Sequence, residues 1–339
     1  MPIKSIHPLL RLSRSPLAWF VAGSAAFLSA MAALAPLDYS WTVSLGRGGR
    51  PGWVDFMRQS VFGGQWPGAS DLPFTIVLAS FVLYFASRRR AAPAWLVRWR
   101  PALGYLFVSS IAMGLAFVHP VKWMVGRARP WDVLGRRFLP FSPWYALGPH
   151  FVLEASGRGS FPSGHVATVV LPMALAYLLM FDPASPRRWR LAGVALAVFS
   201  LADGLAMTAA NAISQAHWVS DGVGAIGFGW MLVHALYFWG LRVPQQRREG
   251  GPGGPRAFAR ERWLVGRWFE ARLCLHGLAL VLGVMGVVMG LRALALPGQT
   301  AVAFAAFPGA ALAMYGWARL AGTHRALRQT FPVQRARRP

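Results

Sequence analysis

The chain has 339 residues, of which 55% are hydrophobic and 14% are charged, and its mean hydropathy is +0.41. This composition excludes an ordinary soluble domain, and the length allows several membrane spans. The formal net charge of +24 could suggest nucleic-acid binding, but most cations fall in loops beside apolar runs, as membrane topology and anionic headgroups favour. We therefore expect an all-α, polytopic integral membrane protein that contacts membrane lipids and binds no nucleic acid.

Apolar runs of about 20 residues, the length that crosses a bilayer, mark the predicted membrane helices. We count eight, with seven as the alternative because the second run is short: 17–36, 72–87, 101–119, 163–181, 191–210, 222–240, 273–291 and 301–318. We expect the first run to be a retained anchor, since it is long and lacks a clean small-residue cleavage site. The single cysteine, Cys274, excludes an intramolecular disulfide framework and a CxxC metal site.

The positions of Lys and Arg predict the orientation, because cations in short loops are retained on the cytoplasmic side. With a cytoplasmic amino terminus, 25 of the 35 Lys and Arg residues lie inside. We therefore expect an inner or plasma membrane protein with both termini in the cytoplasm. The loop after the third span contradicts the rule, since it places six cations outside: Lys122, Arg127, Arg129, Arg136, Arg137 and Arg158.

A Gly- and Pro-rich stretch, RREGGPGGPRAFARERW, separates the sixth and seventh spans. It is typical of a cytoplasmic linker followed by a short surface helix. We therefore divide the chain into a six-span core at 1–241, the linker at 242–272, two additional spans at 273–318 and a basic cytoplasmic tail at 319–339.

Three stretches that combine ionisable and turn residues emerge on the same outer face. They are KWMVGRARP (122–130), GRGSFPSGHVA (157–167) and NAISQAHWVSD (211–221). The second has the form of a helix amino terminus, with Ser160 as its cap and Pro162 in its first turn. Such a terminus, with open N–H groups at Ser163 and Gly164, binds anions. A nearby ammonium and guanidinium suit phosphate oxygens.

Two histidines at an anion site can divide the chemistry of phosphoryl transfer. One histidine can attack phosphorus, while the other protonates the leaving oxygen. Asp221 lies four residues after His217, on the same helical face, where its carboxylate can fix the tautomer of that ring. This spacing favours His217 over His165 as the nucleophile.

The sequence resembles the membrane branch of the type-2 phosphatidic acid phosphatase superfamily, whose three motifs it matches at 122–130, 162–165 and 217–221. The resemblance covers about 1–240. It implies a six-helix core, cofactor-free and metal-independent hydrolysis of a phosphate ester, and a phosphohistidine intermediate.

The same resemblance assigns roles to individual residues. His217 is the nucleophile, Asp221 orients it, and His165 protonates the leaving group. The residues that hold the phosphate are Lys122, Arg129, Ser163 and Gly164.

One motif position departs from the family pattern. The third motif usually begins with Ser-Arg, and those positions are Ala210 and Asn211 here. Asn211 can donate a hydrogen bond to phosphate but brings no charge, so the loss of a charge-assisted bond should slow the reaction. We expect Arg127 or Arg158 to compensate.

These observations predict a lipid phosphate phosphatase at the outer face of the membrane. Candidate substrates are a polyprenyl diphosphate, phosphatidylglycerophosphate, phosphatidate and a lipid A type molecule. Two alternatives remain open: a phosphotransferase that uses the same intermediate, and a lipid-phosphate-binding protein weakened in catalysis by Asn211. The motifs bring too few carboxylates for a two-metal site, so activity should not depend on a metal.

Overall fold

The computed structural model describes residues 15–58, 69–89, 91–136, 138–148, 159–249, 269–294 and 300–330. Within these ranges the chain forms helices, turns and loops, with no strand. Seven helices are long and apolar enough to cross a membrane: α1 (Pro16–Leu34), α6 (Arg100–Val125), α7 (Gly164–Phe181), α8 (Arg187–Ile213), α9 (Val219–Gly240), α11 (Phe269–Leu294) and α13 (Ala306–Thr330). The expected all-α membrane fold is confirmed.

The described part of the chain also contains shorter helices, among them α2 (Asp38–Arg47), α3 (Gly52–Arg58), α4 (Asp71–Ser87), α5 (Ala94–Arg98), α10 (Val243–Glu249) and α12 (Thr300–Ala303). The predicted second span corresponds to α4, an apolar helix of 17 residues. It is shorter than the seven, as the short apolar run indicated.

Helix α6 continues six residues beyond the apolar run that predicted it. Its last turn therefore carries Lys122, and the helix ends at Gly126, which has a left-handed backbone conformation (φ 60°). This conformation favours glycine because a Cβ would be strained there. The N–H of Gly126 donates to the carbonyl of Lys122 at 3.0 Å and turns the chain back toward the bundle.

Helix α7 begins later than the sequence predicted. Ser163, not Ser160, is its N-cap residue, and Pro162 precedes the helix instead of lying in its first turn. The prediction for both residues was wrong because the chain stays extended through Ser163 (ψ 119°) before it turns helical at Gly164.

Helices α7, α8 and α9 pack against one another and supply much of the hydrophobic core. A glycine on α9 permits close contact with α8: a Cβ at Gly222 would lie 2.2 Å from Oγ1 of Thr208. Since Asn211 lies one turn after Thr208 and Asp221 directly precedes Gly222, this contact brings two predicted site residues together.

The carboxy-terminal part consists mainly of the closely packed pair α11 and α13. A Cβ at Gly283 would lie 2.2 Å from the backbone nitrogen of Ala313, and a Cβ at Gly316 would lie 2.4 Å from that of Leu280. Helix α13 extends to Thr330, so the first part of the predicted tail is helical. The linker residues 250–268 and the end of the tail, 331–339, lie outside the described residues.

Candidate active site

The three motifs meet at one end of the bundle, where α6 and α8 finish and α7 and α9 begin; we call this the motif end. Backbone hydrogen bonds join the motifs directly. The N–H of Ser160 donates to the carbonyl of Arg127 at 2.8 Å, and the N–H of Ser163 donates to the carbonyl of Asp221 at 3.0 Å. The motifs therefore form one structure, although about 100 residues separate the first from the third.

His217 and Asp221 form a buried pair at the centre of this structure. The Nδ1 atom of His217 lies 3.3 Å from Oδ2 of Asp221, and both side chains are almost inaccessible. The same carboxylate oxygen accepts hydrogen bonds from the hydroxyl of Ser160 and from the N–H of Trp218, at 2.9 Å from the latter. These donors fix the carboxylate, which in turn orients the imidazole.

The environment of His217 keeps its ring neutral. Burial lowers the pKa of His217 to about 3; the charges of Lys122 and Arg129 lower it further, while Asp221 opposes the shift. At neutral pH the ring therefore carries one proton, and one nitrogen has a free electron pair. When Nδ1–H donates to Asp221, that electron pair is on Nε2, as nucleophilic attack requires.

Arg127 is fully buried beneath this pair, and its guanidinium is occupied by protein groups. Its Nη1 donates to Asp221 Oδ1 and to the hydroxyl of Ser220, each at 2.7 Å. Its Nη2 donates to Asp38 at 2.7 Å, and its Nε donates to the carbonyl of Ser142 at 2.8 Å. These bonds argue against the phosphate-binding role that the sequence suggested for Arg127. The residue instead neutralises Asp38 and Asp221.

Lys122 and Arg129 lie beside the His217–Asp221 pair. The ammonium of Lys122 donates to the backbone carbonyl of Gly159 at 2.9 Å. The guanidinium of Arg129 stacks over the ring of Trp131, with 4.9 Å between its Cζ and the ring centroid. Burial lowers the pKa of Arg129, and Asp221 opposes the shift. Both cations act electrostatically on His217 and so lie within range of a phosphoryl group bound there.

The amino terminus of α7 faces the same region. A Cβ on Gly164 would lie 3.6 Å from Cγ1 of Val118, an ordinary contact, so packing does not demand glycine at this position. The next residue, His165, is exposed and interacts electrostatically with Lys122 and Arg129. The structure thus places His165 and the amino terminus of α7 beside the cations. The N–H of Ser163, which the sequence predicted to be open, instead donates to the carbonyl of Asp221.

Asn211 is buried at the end of α8. Its Nδ2 lies 3.5 Å from the hydroxyl of Ser163, and its Oδ1 has no partner among the described residues. Arg158 and Arg137 lie outside the described residues, as does the side chain of Arg136.

Asp38 is the most important site residue that the sequence did not reveal. Its carboxylate accepts hydrogen bonds from the N–H of Ser220 at 2.9 Å, from the hydroxyl of Ser220, and from Arg127. It therefore ties α2 to the start of α9. Asp38 is the first acidic residue of the chain, at the start of a loop with several cations, and that isolation was the available signal.

The carboxy-terminal pair also reaches the motif end. Arg292 of α11 donates from Nη1 to the carbonyls of Met124 at 3.1 Å and Val125 at 3.3 Å, and from Nη2 to the carbonyl of Gly148. The first two carbonyls belong to the last turn of α6, where a helix leaves carbonyls without intrahelical partners. Arg292 thus caps the helix that carries Lys122.

Comparison with protein families matches the PAP2 superfamily to residues 102–244. No curated protein and no solved structure matches the chain. The matched segment contains all three motifs and the His217–Asp221 pair. The match to residues 102–244 is consistent with the resemblance to the type-2 phosphatidic acid phosphatase (PAP2) superfamily that the three motifs carry.

Proposed function

We propose that this protein removes a phosphoryl group from a phosphorylated lipid by way of a phosphohistidine at His217. The match to the PAP2 superfamily supports a phosphatase-type activity on phosphorylated substrates. The observation that carries the proposal is the buried His217–Asp221 pair, with Nδ1 and Oδ2 at 3.3 Å, beside the cations Lys122 and Arg129.

The first half of the reaction is transfer to the enzyme. Lys122, Arg129, the hydroxyl of Ser163 and the N–H of Gly164 hold the phosphate oxygens and stabilise the charge that develops on them. Nε2 of His217 forms a bond to phosphorus as the bond from phosphorus to the lipid oxygen breaks. His165 gives its proton to that oxygen, and the lipid alcohol leaves.

The second half is hydrolysis. His165, now without its proton, accepts one from water while the water oxygen attacks phosphorus. The bond from phosphorus to Nε2 breaks, inorganic phosphate leaves, and His217 and His165 return to their starting protonation states. Throughout, Asp221 holds Nδ1–H and balances the positive charge of the phosphorylated ring.

The surroundings of the site support a lipid substrate. Its residues lie at the ends of α6, α7, α8 and α9, all long apolar helices, so a substrate anchored in the bilayer can reach them without leaving the membrane. The substrates we propose are a polyprenyl diphosphate, phosphatidylglycerophosphate, phosphatidate and lipid A type molecules. From the distribution of Lys and Arg we propose cytoplasmic termini and a site on the periplasmic or outer face of the plasma (inner) membrane.

The donor set supports a reaction without a metal ion. Across the described ranges, no group of three or more His, Cys, Asp or Glu side chains is arranged to hold a metal. The carboxylates of Asp221 and Asp38 are engaged with Arg127, and Lys122 and Arg129 supply positive charge where a metal would act.

Two alternatives follow from particular observations. A phosphohistidine can be discharged to a lipid alcohol instead of water, which would make the protein a phosphotransferase. The uncharged Asn211, at the position of the family arginine, favours a lipid-phosphate-binding protein with weakened catalysis. We further propose that 1–241 is the catalytic core, that 242–272 and 319–339 are cytoplasmic, and that 273–318 forms an additional pair of spans.

One panel of assays separates these functions. Purified protein is incubated with the four classes of lipid phosphate in detergent micelles, and inorganic phosphate is measured with and without an added lipid alcohol. Release of phosphate without the alcohol, retained in EDTA and lost in His217→Ala, supports the phosphatase. Product formation only with the alcohol supports the transferase, and saturable binding without turnover supports the binding protein.

A further inference from the structure

Because Asn211 is uncharged, the site lacks the positive charge that the family arginine would supply. A guanidinium at position 211 would sit at the end of α8, beside Ser163. The asparagine there is buried and uncharged, and its Oδ1 has no partner among the described residues. Because Arg127 is occupied by Asp38 and Asp221, it cannot supply the missing charge.

Helix α3 carries another arginine and packs against α8, the helix that carries Asn211. Its residues Val54 and Met57 are buried in the hydrophobic core, so the helix is firmly anchored. Arg58 follows Met57 directly and ends the helix, and its side chain is half-buried.

The guanidinium of Arg58 interacts electrostatically with two site residues. One is Arg129, in the loop after α6, and the other is His165, in the first turn of α7. These two residues belong to different motifs, so Arg58 lies within electrostatic range of the region where the motifs meet. Burial lowers the pKa of Arg58, and the charges of Arg50 and Arg129 lower it further, while Asp55 opposes them.

Such an arrangement suits a bound anion. Holding two guanidinium groups near each other in a partly buried site is unfavourable unless negative charge lies between them. The Nε of Arg58 is buried and has no hydrogen-bond partner among the described residues, so a donor remains for a ligand. A guanidinium with such a donor suits the geometry of phosphate oxygens.

We propose that Arg58 is a catalytic residue that binds the substrate phosphate in place of the arginine that the third motif lacks. This inference rests on the proposed function. In this arrangement the guanidinium comes from α3, in the segment between α1 and α4, and not from α8. It binds the substrate phosphate beside Ser163 and His165, as an arginine at position 211 would.

Kinetics of single and double variants test the assignment. Arg58→Ala should lower kcat/KM for lipid phosphate hydrolysis about 10²-fold, the effect of removing one donor to a developing oxyanion. Arg58→Lys should retain an intermediate rate, since it keeps charge but not the planar fork. Arg50→Ala is the matched control: this cation lies eight residues earlier, is exposed, and is paired with Asp55, so it should change kcat/KM less than threefold.

The decisive measurement is rescue. Adding Asn211→Arg to the Arg58→Ala variant should raise kcat/KM at least tenfold above that of Arg58→Ala alone. A merely structural role for Arg58 would not allow this rescue. Activity of Arg58→Ala within twofold of the parent would overturn the inference while leaving the phosphatase intact. Absence of rescue in a variant with unchanged thermal unfolding would also overturn it.

A binding assay separates failure of the inference from failure of the proposed function. If the parent protein hydrolyses none of the lipid phosphates, the function is wrong and the anion site is measured with orthovanadate. Arg58→Ala should then weaken vanadate binding at least tenfold relative to Arg50→Ala. Equal binding by the two variants would contradict the assignment of Arg58.

Discussion

Two of the buried clusters of arginine and carboxylate in the described ranges differ in one respect, since only one of the two holds a histidine. In the first, at the motif end, Arg127 joins Asp38 and Asp221, and Asp221 also meets His217. In the second, Glu270 of α11 accepts hydrogen bonds from Arg88 and from the hydroxyl of Tyr84, the latter at 3.1 Å. We call these the Arg127 cluster and the Glu270 cluster.

The Glu270 cluster joins helices. Its carboxylate reaches α6 closely enough that a Cβ at Gly104 would lie 2.6 Å from Oε1. All of its charge is used to attach α11 to α4 and α6. In the Arg127 cluster the carboxylate is shared between an arginine and an imidazole, and Lys122 and Arg129 lie beside that imidazole. A buried ion pair alone therefore indicates packing, whereas an ion pair that orients an ionisable ring beside further cations indicates chemistry.

The largest expected contrast between the clusters is in turnover. His217→Ala should abolish phosphate release, a loss of about 10³-fold or more, because it removes the proposed nucleophile. Lys122→Ala and Arg129→Ala should each lower kcat about 10²-fold, since they remove charge that acts in the transition state. Glu270→Gln should leave kcat within threefold of the parent. Steady-state kinetics in detergent measures all four.

Two results would contradict the assignment of the Arg127 cluster to the reaction and of the Glu270 cluster to packing. If Glu270→Gln lowered kcat as much as Lys122→Ala at equal stability, the Glu270 cluster would serve the reaction. If Lys122→Ala and Arg129→Ala kept full turnover, both residues would be interfacial anchors.

Stability should respond at the Arg127 cluster and much less at an exposed ion pair. Asp38→Ala leaves Arg127 with one carboxylate fewer in a buried site, which should lower the free energy of unfolding by about 3–5 kcal/mol. Asp55→Ala removes a carboxylate from an exposed pair with Arg50 and should cost at most about 1 kcal/mol. Thermal unfolding in detergent measures the difference. Equal midpoints for the two variants would show that Asp38 is not a structural partner of Arg127.

A smaller expected effect is the pH dependence of stability that His217 gives to the Arg127 cluster. His217 has a folded-state pKa of about 3, below its ordinary value of 6.5. As the pH falls from about 6.5 toward 3, the unfolded chain therefore gains a proton at His217 that the folded chain does not, and folding becomes less favourable. The His217→Gln variant lacks this proton, so its stability should approach or exceed that of the parent as the pH falls.

The unfolding midpoints of the parent and of His217→Gln are measured at several pH values between 7.5 and 4.5. Glu270→Gln is the control, because it retains His217 and should therefore keep the destabilisation at low pH that this residue causes. Parallel curves for the parent and His217→Gln would contradict a neutral, buried His217. The dependence of kcat/KM on pH should also show no fall near pH 6.5 that is caused by protonation of His217.

The smallest perturbation of the protein is cysteine labelling. We expect it to show that the two clusters lie at opposite faces of the membrane. In a Cys274→Ser background, Tyr145→Cys, on the exposed loop near the motif end, should react with an impermeant maleimide added to intact cells. Ala184→Cys, in the exposed turn between α7 and α8, should react only after permeabilisation. The reverse pattern would invert the orientation and change the pool of lipid available to the site.

The sequence predicted the parts of this structure that depend on local rules. Runs of about 20 apolar residues located the seven long helices, and the four-residue spacing of His217 and Asp221 predicted their contact. The start of α7 was less predictable, because Ser160 and Ser163 are both acceptable caps. The tertiary contact between Ser160 and Asp221 decided between them.

The contacts of Arg127 and Arg58 depend on packing between distant segments. Asp38 lies 89 residues before Arg127, and neither residue carries a local signal of the other. The spacing of the first motif made Arg127 resemble a phosphate ligand, whereas burial and four neighbouring acceptors give it another role. Likewise, Arg58 ends a short helix whose position is set by the burial of Val54 and Met57.

The glycine contacts between α11 and α13 bear on how the chain is assembled in the bilayer. Each close approach, as at Gly283 and Gly316, joins two helices that follow one another in sequence. Such contacts need no other part of the protein, so this hairpin can form as soon as both helices have left the translocation machinery. It can then dock as a finished unit onto a core already inserted, and Glu270 and Arg292 are among its points of attachment. Replacing Gly283 with leucine would therefore disturb a late docking event and leave insertion of the first helices unchanged.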